Sequence, residues 1–64
     1  MKIFVQKFRL ARNWSLADLS QKSGVSSSHI NDIENGIKNP TIQVLCKLAK
    51  ALGVPCSELF DCDE

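Results

Sequence analysis

The sequence has 64 residues, 44% of them apolar and 23% charged, with a formal net charge of +1. A chain this short builds one small core and does not readily enclose a catalytic pocket. None of its apolar runs reaches the ~18 residues of a membrane span, and Ile3-Phe4-Val5 is interrupted by Gln6, Lys7 and Arg9 and so does not form a signal peptide.

The charge is unevenly placed. Residues 1–57 hold all eight Lys and Arg against Asp18, Asp32 and Glu34, a net of +5, whereas residues 58–64 hold only the acids Glu58, Asp61, Asp63 and Glu64. A basic body with an acidic tail is compatible with an anionic partner. Cys46, Cys56 and Cys62 are odd in number and contain no CxxC pair, which argues against a disulfide framework and fits a reducing, cytoplasmic setting. Cys46 and Cys56 read as partly buried small apolar groups. The spacing of the cysteines and His29 matches no zinc pattern, so neither a metal nor a cofactor is expected.

In chain order, the first helix is predicted over 3–12, with Val5 and Phe8 on one face and Ala11 and Arg12 a turn on. Asn13 suits the left-handed position after it. Ser15 and Asp18 form a capping-box pair that starts the second helix, preceded by Trp14 as a staple for Leu19. That helix ends at Ser23, and Gly24 makes the turn. Val25-Ser26 repeats the syntax: Ser26 caps a third helix running to about Asn35, closed by Gly36. Its apolar face is Ile30 and Ile33, and its other face carries Ser27, Ser28, Asn31, Asp32 and Asn35. So many small polar groups on one short helix suit a surface that reads base edges in a DNA groove.

Ile37 to Pro40 reads as a loop, since Asn39 precedes a proline. Thr41 caps the fourth helix, whose stripe Ile42, Leu45, Leu48, Ala49 and Leu52 is amphipathic. Val54-Pro55 opens a last short helix ending near Phe60, and Asp61 to Glu64 reads as a frayed acidic tail. No segment reads as a strand. Residues 1–64 are expected to be one domain, its core over about 3–60.

The order Arg9, Ser15-x-x-x-Leu19, Gly24-Val25-Ser26, Ile30-x-x-Ile33-Glu34-Asn35-Gly36, Asn39-Pro40-Thr41 and Leu45-x-x-Leu48-Ala49-x-Ala51-Leu52-Gly53-Val54 resembles the XRE family of helix-turn-helix domains, of the lambdoid-repressor and Cro type. The resemblance covers residues 3–60 and implies an all-α, five-helix, lambda-repressor-like fold whose second and third helices form the helix-turn-helix. It also implies that Ser26, Ser27, Ser28 and Asp32 read bases, joined by Asn31 on the same polar face. Ser15 and Asn35 would hold phosphates, Lys38 and Asn39 would touch the backbone beyond, and Arg9 and Glu34 would form a structural ion pair. Leu16 stands where the family usually has a phosphate-donating Gln. The acid Asp32 would accept from a cytosine amino group and repel phosphate.

The function expected is sequence-specific binding of double-stranded DNA by a prokaryotic or phage repressor-type regulator, without a separate effector domain. The regulator would act as a homodimer on a palindromic operator, because one copy buries little DNA surface. Adjacent positions on a helix diverge by ~100°, so Leu59 and Phe60 do not both fit under one small body. The dimer contact is therefore expected around Pro40, Val44, Leu59 and Phe60. The alternative is a protein-interaction module or antitoxin-like partner, favoured by Asp32, the acidic tail and the apolar Phe4, Leu10 and Leu16. An enzyme is not expected: there is one His and no nucleophile–base or paired-carboxylate arrangement.

Overall fold

The computed structural model describes residues 2–61. Four α-helices carry the architecture: α1 (Val5–Ala11), α2 (Leu16–Ser23), α3 (Ser27–Glu34) and α4 (Ile42–Leu52). A 3-10 turn follows over Cys56–Leu59, and two short strands, β1 (Lys2–Ile3) and β2 (Phe60–Asp61), pair antiparallel in the register Lys2↔Asp61 and Ile3↔Phe60.

The helix boundaries follow from the chemistry of their ends. Ser15 accepts from the Asp18 N–H at 3.1 Å and donates its own backbone N–H to Asp18 Oδ2 at 2.9 Å, a complete capping box for α2. Ser26 Oγ accepts from the His29 N–H at 3.2 Å and Thr41 Oγ1 from the Val44 N–H at 3.2 Å, starting α3 and α4. Each hydroxyl satisfies an amide that the first helical turn leaves without an acceptor. Asn13 takes φ 58°, one position beyond the α1 cap. Gly24, at φ 79°, makes the turn between α2 and α3 in a conformation that a side chain would strain.

The core is built by Val5, Leu19, Val25, Ile30, Ile33, Leu45, Leu48, Ala49, Leu52 and Leu59. α2 packs on both α3 and α4, and α4 also supports the 3-10 turn. Phe8, Trp14 and Phe60 are half-buried around this centre. Burying a side chain such as Leu48 contributes ~1.5–3 kcal/mol, so α4, with four buried positions, anchors the rest.

Several expectations are corrected. The chain is not all-α: Ile3 leaves the expected first helix and, with Lys2 before it, pairs with Phe60 and Asp61, which leave the expected last helix and tail. The Phe4 N–H extends that link by donating to the Leu59 carbonyl at 2.8 Å. The fifth helix is a four-residue 3-10 turn, because Pro55 is extended (ψ 146°) and β2 begins at Phe60, leaving no room for an α-helical segment. Ile42 is not in the core. It sits at the first position of α4 and is 66% exposed. Cys46 is exposed rather than partly buried. Cys62, Asp63 and Glu64 lie outside the described residues.

Candidate nucleic-acid interface

α3 spends Ile30 and Ile33 on the core, and the 3.6-residue repeat then turns Ser27, Ser28 and Asn31 to solvent. An open depression forms between this face and the start of α2. Ser15, Leu16 and Ala17 line one side, Ser27, Ser28 and Asn31 the other, and Arg9 lies beneath. Leu16 and Ala17 are the first residues of α2, where helix geometry leaves backbone N–H groups without an intrahelical acceptor. The positive end of a helix dipole and three serine side chains therefore share one concave surface, an arrangement suited to an anion such as phosphate.

The remaining predicted residues divide around this centre. Ser26 is engaged as the α3 cap. Asn35 Nδ2 donates to Asn31 Oδ1 at 3.1 Å, which orders the Asn31 amide. Asp32, one turn beyond Ser28 on α3, pairs with Lys38, whose Nζ stands 3.8 Å from Asp32 Oδ2. The Asp32 backbone carbonyl also accepts from the N–H groups of Ile37 (2.8 Å) and Lys38 (3.3 Å), folding the loop back on the end of α3. Asn39 is exposed in that loop. The geometry thus joins Ser15 to Ser27, Ser28 and Asn31 in one depression, and Asp32 continues that face of α3 toward Lys38 and Asn39.

Arg9 fixes the position of α3. Its guanidinium donates to Glu34 through Nε (2.8 Å to Oε2) and Nη2 (3.0 Å to Oε1), and through Nη1 to the Trp14 carbonyl at 2.8 Å. The residue is only 7% exposed. Hydrogen bonding to Glu34 raises the Arg9 pKa against the opposing effect of burial, so the charge is retained. α1, the α1–α2 connection and the end of α3 meet at this one side chain.

Sequence reasoning missed two basic positions. Arg12 donates to the Leu52 carbonyl at 2.6 Å and the Phe8 carbonyl at 2.9 Å, and caps α4 from 40 positions away. Lys22 lies over the Trp14 ring, 5.0 Å from its centroid. Their partners are distant in the chain or aromatic, so charge counting gives no sign of them. Leu59, expected at a dimer contact, has no exposed surface. It points inward from the 3-10 turn, while its neighbour Phe60 is half-buried. Pro40 and Val44 are also half-buried. Among the described residues no cluster of His, Cys, Asp and Glu is arranged to hold a metal, and no helix is long and apolar enough to cross a membrane.

The helix-turn-helix family model (HTH_3) matches residues 5–59. The chain belongs to the XRE family of helix-turn-helix domains. Within this XRE-family domain α2 and α3 are consecutive short helices packed on each other across the Gly24 turn. It is 37% identical over 60 residues to the HTH-type transcriptional regulator SlrR of Bacillus subtilis, covering 92% of this chain and 40% of that protein. Its fold matches the N-terminal DNA binding domain of SinR from Bacillus subtilis with a TM-score of 0.83 at 34% identity, over 89% of this chain and 84% of that one. The restriction-modification controller protein C.AhdI from Aeromonas hydrophila matches with a TM-score of 0.84 at 32% identity, over 88% and 85% of the two chains. The XRE-family domain spans only 40% of SlrR and 52% of full-length SinR.

Proposed function

We propose that this chain binds double-stranded DNA sequence-specifically as the DNA-binding part of a transcriptional regulator, with α3 entering the major groove. The observation that carries the reading is the exposure of Ser27, Ser28 and Asn31 on one face of α3, beside the N-terminal end of α2. In this reading Ser28, Asn31 and Asp32 meet base edges, with Ser26 and Ser27 at the groove entrance. Ser15 and the first amides of α2 hold one phosphate strand, and Asn35, Lys38 and Asn39 approach the other. The names of SlrR and of the SinR DNA binding domain support it. Repressor action on a palindromic operator as a homodimer is the corresponding mode: two copies present two α3 helices to half-sites about one helical turn apart. Selection of bound duplexes from a random pool by the purified chain, repeated at several salt concentrations, tests the proposal. A recurrent palindromic motif is the expected result, and retention of all sequences alike overturns base reading.

A second reading, a protein-interaction module with weak DNA binding, draws on the exposed Leu10 (55%), Ile37 (67%) and Ile42 (66%). Such apolar surface suits a protein partner as well as a second copy. The same selection experiment separates the two, because only the first requires a preferred sequence.

A further inference from the structure

Cys46 projects from the exposed side of α4, and Cys56 opens the 3-10 turn beyond it. Their sulfur atoms are 3.3 Å apart, within reach of a thiol hydrogen bond. Neither thiol has a role in the surface formed by α2 and α3, whose lining comes from other elements. From this juxtaposition we propose that Cys46 and Cys56 are a redox-active dithiol, closed to an intramolecular disulfide by a hydroperoxide oxidant. This inference does not depend on the DNA-binding reading.

The geometry asks little of the fold. A disulfide needs its sulfurs at about 2.05 Å, so the two atoms must approach by a little over 1 Å, a shift within the reach of side-chain rotation. Both residues already sit on elements packed against each other. Cys46 is exposed and Cys56 half-buried, which makes Cys46 the sulfur that an oxidant meets first. The hydrogen bond with Cys46, reinforced by burial, pushes the Cys56 thiol up and favours the same division of roles.

The chemistry balances in two steps. The Cys46 thiolate attacks one peroxide oxygen, the O–O bond breaks, and the departing alkoxide or hydroxide takes up a proton; Cys46 becomes a sulfenic acid. The Cys56 sulfur then attacks Cys46 Sγ, the S–O bond breaks, and hydroxide leaves with the Cys56 proton as water. Two electrons pass from the sulfur pair to the peroxide. A dithiol reductant reverses the change by exchange through a mixed disulfide. The bond would tie the residue that opens the 3-10 turn to α4, and Leu59 closes that turn with β2 directly after it.

The test uses the whole chain in hydrogen peroxide, followed by alkylation, tryptic digestion and mass spectrometry. Because Cys56 and Cys62 share the tryptic peptide 51–64, it is run on Cys62→Ser as well as the unaltered sequence. The expected result is one chain-internal link joining peptide 39–47 to peptide 51–64 in both proteins, with loss of two hydrogens and full recovery under a dithiol reductant. Cys46→Ser and Cys56→Ser should each abolish the link, and circular dichroism of each variant establishes that it is folded. The proposal is overturned if the link vanishes in Cys62→Ser. It is equally overturned if folded chains oxidise only between molecules, or if Cys46 proceeds to sulfinic acid with Cys56 still open to alkylation.

Discussion

Arg9 and Glu34 meet through both oxygens of the carboxylate, although 25 positions separate them, and the pair is almost out of solvent, with side chains 9% and 3% exposed. Removing one partner of a buried pair strands the other charge, at ~3–5 kcal/mol. A domain of this size has only about 3–10 kcal/mol in total. Glu34→Ala is therefore expected to move the urea midpoint sharply downward at unchanged m, and Glu34→Gln, which keeps a neutral acceptor, to move it less. A cost for Glu34→Ala under about 1 kcal/mol, typical of exposed pairs, would remove Arg9 as the organiser of α3.

Asp18 provides a pH signature. The Ser15 backbone N–H, and after it the Ser15 side chain, hold its carboxyl below the usual carboxylate value. A depressed folded value means that the unfolded chain binds the proton more tightly. The stabilisation is then full above the unfolded value of about 3.9 and is lost as pH falls through the folded one. Asp18→Asn should flatten the acid limb of melting temperature against pH below about pH 4 and lower stability at neutral pH. Parallel acid limbs for the two proteins would show that the capping box is not coupled to folding.

For the α3 surface, Ser28→Ala and Asp32→Ala are expected to change which duplexes are selected. Lys38→Ala should weaken all duplexes alike and reduce the salt slope by about one. The 3.8 Å pairing of Lys38 with Asp32 adds a further expectation. Asp32→Ala removes the competing carboxylate, so affinity for random-sequence DNA should rise at low salt. Unchanged preferences in both the Ser28 and Asp32 variants would move base reading away from α3.

The proposed dimer contact can be probed at two positions of different character. Ile42 is exposed at the start of α4, so Ile42→Lys should reduce self-association in sedimentation equilibrium at constant melting temperature. Phe60 is half-buried and pairs with Ile3, so Phe60→Asp should also yield a helical monomer, but with some loss of stability. If both variants sediment as the unaltered chain does, the contact lies elsewhere, and the exposed Leu10 on α1 becomes the next position to alter.

What the sequence made legible was local. Ser15, Ser26 and Thr41 announce helix starts because an N-cap acts within three residues, and Leu45, Leu48 and Leu52 reveal the buried side of α4 through a fixed period. The β1–β2 pairing was hidden, because neither two-residue strand has an alternation to detect and each depends on a partner nearly sixty positions away. Ile42 fits the α4 stripe by spacing, yet the helix begins there, beyond the edge of the core. The proximity of Cys46 to Cys56 was hidden for a related reason. It depends on how the turn after Gly53 returns the chain to α4, and no residue type encodes that path.

The pairing of Lys2 with Asp61 brings the first and last described residues side by side. A ring could therefore be closed with a short peptide at small entropic cost, and new ends opened in the exposed segment 35–39 between α3 and α4. In such a circular permutant the order of synthesis becomes α4, the 3-10 turn, β2, β1, α1, α2, α3, with every spatial neighbour retained. The arrangement of this domain is thus separable from the order in which its elements leave the ribosome.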